Sequence, residues 1–278
     1  LLAVANRTDS AGIHLFGGQG AAQAPFADLP GGVQFQGASG STDSASGDAL
    51  PLTMDGESSW MQARTGNGVF VARAVTATGS AWIDSGRVVD PSALTGSTYS
   101  LQFSVSGATT TYSVLQDGLP TAMTNVAYSA GKAIQFDGMS ATVTGQPADG
   151  DAFELAPSAA GLSVFDALDK AIAELRTPGR SGTQIAQSNV ENLSNLDQVM
   201  SQLAAGRSQV GATLNRVDAE SDRLSALKLA SQTERAQAED LDMTQAVSDF
   251  TNQQTGYDAA LKAYSMVQRL SLFNYLSN

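Results

Sequence analysis

"LDQVMSQLAAGRSQVGATLNRVDAESDRL", residues 196–224, places an apolar residue at every seventh position: Leu196, Leu203, Val210, Val217 and Leu224. Met200 and Leu214 stand four residues after two of them. An α-helix turns once in 3.6 residues, so this spacing draws a single apolar stripe down one face, the seam of a coiled coil or long bundle. The periodic pattern begins near residue 184. A helix of ~45 residues spans roughly 70 Å, too long for one compact domain, so the seam requires other helices to cover it.

Downstream, the seven-residue phase breaks within "SALKLASQTERAQAEDLD" (225–242). It resumes two residues out of register at Met243, Phe250, Tyr257 and Tyr264, with Val247 and Leu261 between them. A phase slip beside a polar stretch predicts a hinge or a change of neighbour. The closing "LKAYSMVQRLSLFNYLSN" (261–278) adds Val267, Leu270, Leu272, Phe273, Tyr275 and Leu276, which fit no single stripe. A helix apolar most of the way round has to be buried on several sides, and this chain offers few helices to do so. Assembly with further chains is therefore expected. Upstream, Ser163 reads as an N-cap with Asp166 in the first turn. Val164, Leu168, Ile172 and Leu175 then share a face until Pro178–Gly179 ends that helix.

The first part of the chain obeys a different rule. Of 27 glycines, 21 lie within residues 1–160, as do seven of eight prolines, so turns dominate there. "TYSLQFSV" (98–105) alternates Tyr99, Leu101, Phe103 and Val105 with polar residues, the period of a half-buried strand. "SGAT" turns the chain and "TTYSVLQ" (110–116) returns as its hairpin partner. In "AIQFDGMSATV" (133–143), Asp137–Gly138 sits between alternating runs, the signal of a two-residue hairpin turn. Further strands are expected at 33–36, 69–75, 82–89 and 152–155. Short antiparallel strands at this spacing favour a sandwich or irregular barrel. Residues 1–11 read as the last turns of a helix stopped by Gly12. The chain opens on Leu1 rather than Met, as a fragment of a longer protein would. The fold class expected is α+β: a long helical coiled-coil or bundle region formed by the chain ends, with an all-β domain inserted.

A formal charge of −12 and a pI near 4.3 argue against nucleic acid and against an anionic membrane surface as partners. Without cysteine there are no disulfides, thiol nucleophiles or zinc–thiolate sites. No cleavable signal peptide or membrane span is visible. Groups for catalysis are scarce. His14, the single histidine, lies in "GIHLFGG" (12–18) and reads as structural or solvated. "FGGQGAAQ" lacks the spacing and preceding strand of a dinucleotide loop, and no G-x-S-x-G elbow occurs. Asp149, Asp151 and Glu154 in "ADGDAFE" (148–154) form the densest carboxylate cluster. They lack EF-hand spacing and read as a solvated turn. Glu239, Asp240 and Asp242 read as an exposed helix face. No cofactor, metal or enzyme activity is expected.

Several stretches resemble the bacterial flagellin family: "LLAVANRTDSAGIHLFGGQGAAQAPF" (1–26), "IDSGRVVDPSALTGSTYSLQFSV" (83–105), "IQFDGMSATVTGQPADGDAFELAPS" (134–158) and "AEDLDMTQAVSDFTNQQTGYDAALKAYSMVQRLSLFNYL" (238–276). Within it, "LFGG" followed by "PF", and the "SLFNYL" ending, are most similar to subunits that join hook to filament. The resemblance implies an extracellular axial protein of the flagellum, exported by the type III route without a cleaved signal, with an export chaperone. It implies copies of itself in a ring, contacts to neighbouring hook-associated and filament proteins, and an outward β domain. It implies that Leu261, Tyr264, Val267, Leu270, Leu272, Phe273, Tyr275 and Leu276 touch the axial core. The seam residues Leu196, Met200, Leu203, Val210, Leu214, Val217 and Leu224 would pack in the surrounding helical layer. The family's N-terminal helical region is not present before Leu1, which leaves this chain's own polymerisation open. The expected division is 1–29 helix end and loop, 30–158 outer β domain, 159–240 helical domain and 241–278 terminal helix. Two alternatives stay open: a filament flagellin, and a secreted adhesin whose β domain binds a surface ligand through Trp60 and Trp82.

Overall fold

The computed structural model describes every residue except 21, 45–49, 240–241 and 270–278. The chain divides into two units, Leu1–Val217 and Asp218–Asn278. The first opens with a four-residue helix, α1 (Leu2–Ala5), and a hairpin of β1 (Phe26–Leu29) and β2 (Gly32–Phe35). The expected helix over 1–11 stops early. Asp9 Oδ1 accepts the N–H groups of Ala11 and Ile13, closing a side-chain-capped turn in competition with helix. A short helix α2 (Gly56–Trp60) follows, N-capped by Asp55, which accepts from Glu57 N and Ser58 N.

From β3 (Ala63–Arg64) the chain enters β4 (Phe70–Thr76) and the two-residue strands β5 (Trp82–Ile83) and β6 (Arg87–Val88). The single strand expected at 82–89 is thus two. Asp84 divides them, because its carboxylate accepts from Gly86 N and Thr142 N. Next come β7 (Tyr99–Ser106), β8 (Thr109–Gln116), β9 (Leu119–Pro120), β10 (Val126–Ala127), β11 (Ala133–Phe136), β12 (Met139–Thr144), β13 (Ala152–Pro157) and β14 (Ala160–Leu162). One sheet runs β10-β8-β7-β13-β4 with β9 also on β8; the other runs β11-β12-β5 with β6 also on β12. Each pairing is antiparallel.

The two sheets share one apolar core. Tyr99, Leu101, Phe103, Val114, Phe153 and Leu155 point inward from the first; Ile83, Ile134, Met139, Ala141 and Val143 answer from the second. The alternation in "TYSLQFSV" is the cause: every second side chain of a strand falls on the same face. Asp137 and Gly138 adopt φ of 41° and 76°, the left-handed pair that a type I′ hairpin requires.

A second core lies under the helices. It gathers Ala5, Phe26, Trp60, Ala63, Val164, Phe165, Ala167 and Val199. Trp60 stacks on Phe165 and meets Phe16 edge-on, so the phenylalanines of "LFGG" and "PF" serve packing. The division expected at residue 30 falls in the β1–β2 turn, whose strands contribute to this second core rather than to the sheets. Helix α3 (Val164–Arg176) begins at Ser163, whose Oγ accepts from Phe165 N and Asp166 N. Its buried face is Val164, Phe165, Ala167 and Ala171, not the stripe through Ile172 and Leu175, which stay exposed. The long helix α4 (Gly182–Glu239) has 58 residues, and α5 (Met243–Arg269) has 27.

Candidate assembly surface

Helix α5 begins where Asp242 accepts the N–H groups of Thr244 and Gln245 through Oδ1. Part of the polar stretch that slips the heptad phase is therefore a helix cap, and Asp242 is its working residue. Glu239 closes α4, and Asp240 lies outside the described residues. Along α5, Met243, Val247, Phe250, Tyr257, Leu261 and Tyr264 fall on one stripe, with Val267 one turn on. No residue of α5 is buried. Leu261 is 49% exposed, Tyr264 63% and Val267 65%. Leu270, Leu272, Phe273, Tyr275 and Leu276 lie outside the described residues. The opposite side of α5 is polar: Gln245 reaches Asp249, and Thr251 and Thr255 bond back to carbonyls one turn earlier.

The α4 stripe has two fates. Leu196 and Leu203 pack, with Val199 fully covered, on the second core. Val199 lies three residues after Leu196 and four before Leu203, so a stripe of alternating three- and four-residue steps includes it and leaves Met200 outside. Met200 is exposed, as are Val210, Leu214, Val217 and Leu224. Val210, Leu214 and Val217 form one wall of a groove of about 670 Å³; Leu15, Pro51 and Leu52 form the other.

The histidine and the carboxylates of the first unit serve structural contacts. His14 Nδ1 lies 2.9 Å from Asn6 O, tying down the N-terminal loop. Asp149 accepts from Val105 N at 2.9 Å, and Glu154 pairs with Arg73 at 2.6 Å. Asp151 is not solvated: it is fully buried and accepts from Thr78 N, Thr78 Oγ1, Gly79 N and Ala148 N. Burial pushes that carboxyl's pKa up, but the four donors outweigh it and hold the pKa below the ordinary carboxylate value. Burial, reinforced by the hydrogen bond to Asp137, raises Tyr99. Among the described residues no three carboxylate or imidazole groups converge as metal ligands, and no helix is long and apolar enough to cross a membrane. Trp60 is buried in the second core and Trp82 is half-buried on β5, so the two do not form an exposed aromatic platform.

Residues 193–276 match the bacterial flagellin C-terminal helical region, and residues 73–157 match the D2-like domain of flagellar hook-associated protein 1. No curated protein matches the sequence. Among solved structures, flagellar hook associated protein-3 from Legionella pneumophila is 25% identical, with a TM-score of 0.76 over 86% of this chain and 77% of that one. The flagellar junction protein FlgL from Legionella pneumophila is 26% identical, with a TM-score of 0.70 over 78% of this chain and 75% of that one. Xanthomonas campestris FlgL is 27% identical, with a TM-score of 0.74 over 85% of this chain and 77% of that one. The chain thus carries a flagellin-type C-terminal helical region and shares the α+β fold of these hook-associated protein 3 and FlgL junction structures.

Proposed function

We propose that the chain is a structural subunit of the bacterial flagellum that joins hook to filament, and that it acts by helical assembly without catalysis. The observation that carries this is α5, a 27-residue amphipathic helix with no buried residue. An apolar stripe of this length is not maintained in water without a covering surface. Each large apolar side chain contributes about 1.5–3 kcal/mol on full burial. A stripe from Met243 to Val267 therefore supplies enough to offset association costs of about 4–15 kcal/mol. Leu261, Tyr264 and Val267, continued by Leu270, Leu272, Phe273, Tyr275 and Leu276, are the contacts proposed for the axial core. The exposed α4 positions Val210, Leu214, Val217 and Leu224 are those proposed for the layer around it. Copies of the same chain in a ring, neighbouring axial proteins, an export chaperone, and type III export to the cell exterior complete the proposal. So does a projecting β domain, centred on residues 70–157.

Replacing Tyr264 and Val267 by Ser tests the reading. The expected result is unchanged thermal unfolding of the β core with incorporation at the hook tip abolished. Normal incorporation of that variant overturns the reading. Incubation of the wild-type chain with isolated hooks separates the two structural roles: a junction subunit caps hooks, whereas a filament flagellin grows long filaments alone.

A further inference from the structure

The β core and the helical core have no residue in common. Between them the backbone crosses twice, from β3 to β4 and from β13 to β14. Two crossing strands tether a body but leave it free to swing unless something else fixes the angle. Apolar packing does not close the gap: a cavity of about 340 Å³ lies between the layers, lined by Val71, Arg73, Pro157, Lys170, Glu191 and Asn195.

Side-chain amides of α4 span that gap. Gln187 Oε1 accepts the N–H of Ile83 at 3.0 Å, in a buried contact. Ile83 lies on β5, an end strand of its sheet, so this N–H has no ladder partner on that side. Gln187 Nε2 donates to Glu191 Oε1 at 3.0 Å, which turns the amide oxygen toward Ile83. Two helical turns later, Asn195 Oδ1 accepts the N–H of Gly66 at 2.9 Å, in the β3–β4 crossing itself. Seven residues further on, Gln202 donates to Ser58 O at 2.7 Å and locks α4 onto α2. Gln187 and Asn195 fall within one quadrant of the helix, roughly 12 Å apart along its axis, while Gln202 fixes the helix they stand on. Hydrogen bonds are directional where apolar contact is not, so points separated along an axis define an angle.

We infer that Gln187 and Asn195 are positioning residues that latch the β-sandwich to α4. With both removed, the sandwich swings as an intact body on its two crossing strands. The inference does not depend on the proposed junction role. It holds for the first unit alone.

The absence of cysteine makes the test direct. Gln102→Cys on β7 and Ser208→Cys on α4 are spin-labelled in the full chain, and their distance distribution is measured by pulsed electron paramagnetic resonance. The expected result is one narrow peak in the parent and a broad distribution in Gln187→Ala/Asn195→Ala, with the near-ultraviolet circular dichroism of the β core retained. Asn195→Asp keeps an oxygen acceptor for Gly66 N, and when combined with native Gln187 it retains the narrow peak. If the double variant does not fold, Asn195→Ala alone gives the same comparison against Asn195→Asp. A narrow peak in the alanine variants overturns the inference. Equal broadening by Asn195→Ala and Asn195→Asp also overturns it, since the accepted bond is then not what holds the angle.

Discussion

Asp151 shows how far a single residue departs from what its neighbours in sequence suggest. In "ADGDAFE" it stands among carboxylates and reads as part of a solvated turn. In the fold it is the buried anchor of the 78–79 loop, with both oxygens saturated by N–H and O–H donors. Three of its four donors come from Thr78 and Gly79, more than 70 positions away, and nothing local encodes such a meeting. Asp151→Asn keeps the shape but turns an NH₂ group toward donors, so at neutral pH it should cost about 1.5–3 kcal/mol, the worth of hydrogen bonds to a charged group. The carboxyl's folded pKa is depressed. Its contribution is therefore fully present above the unfolded value, roughly 3.9, and is lost as pH falls through the folded value. Urea unfolding at several pH values should show the wild type losing its advantage over Asp151→Asn on that acid limb. A difference that does not change with pH would mean that the carboxylate's charge is not what the loop uses.

At the scale of elements, legibility followed the range of the forces involved. The β7–β8 and β11–β12 hairpins were readable because alternation and turn chemistry are local. So was the start of α3 at Ser163. The buried face of α3 was not, because Ala167 and Ala171 are chosen by what packs against them. Asp117–Gly118 turns β8 into β9 as Asp137–Gly138 turns β11 into β12, and the two make a controlled comparison. Gly118 has φ of 83° and open space where a Cβ would stand; Gly138 has φ of 76°, but its Cβ would lie 2.2 Å from Asp90 O. That crowding arises because Gly138 O accepts from Val89 N and Asp90 N, drawing the 88–93 segment onto the turn. Gly118→Ala should carry only the left-handed penalty of roughly 1–2 kcal/mol. Gly138→Ala should carry that and the displacement of the Asp90 backbone, giving the lower urea midpoint. Equal midpoints would show that the 88–93 segment yields without cost.

Across the whole molecule, the seven-residue stripe of α4 announced a helix needing partners but not where cover would end. That depends on Phe16, Trp60 and Phe165, brought beneath Leu196, Val199 and Leu203 by turns remote in sequence. Past Leu203 the same stripe lies open, and α5 has no buried residue. The chain therefore joins a core closed on itself to helices whose apolar faces await cover, and stability should be graded accordingly. Hydrogen exchange on the soluble monomer should find the amides of β7, β12 and β13 opening only with global unfolding. Those of α5 should exchange orders of magnitude faster, because an uncovered helix is held by propensity alone. On incorporation at a hook tip, α5 should become protected while the β strands change little. Slow exchange of α5 in a chain shown to be monomeric would mean that its stripe is already covered at home, and the assembly reading would lose its physical basis. Fast exchange that persists in the assembled state would instead move the axial contact away from residues 243–269.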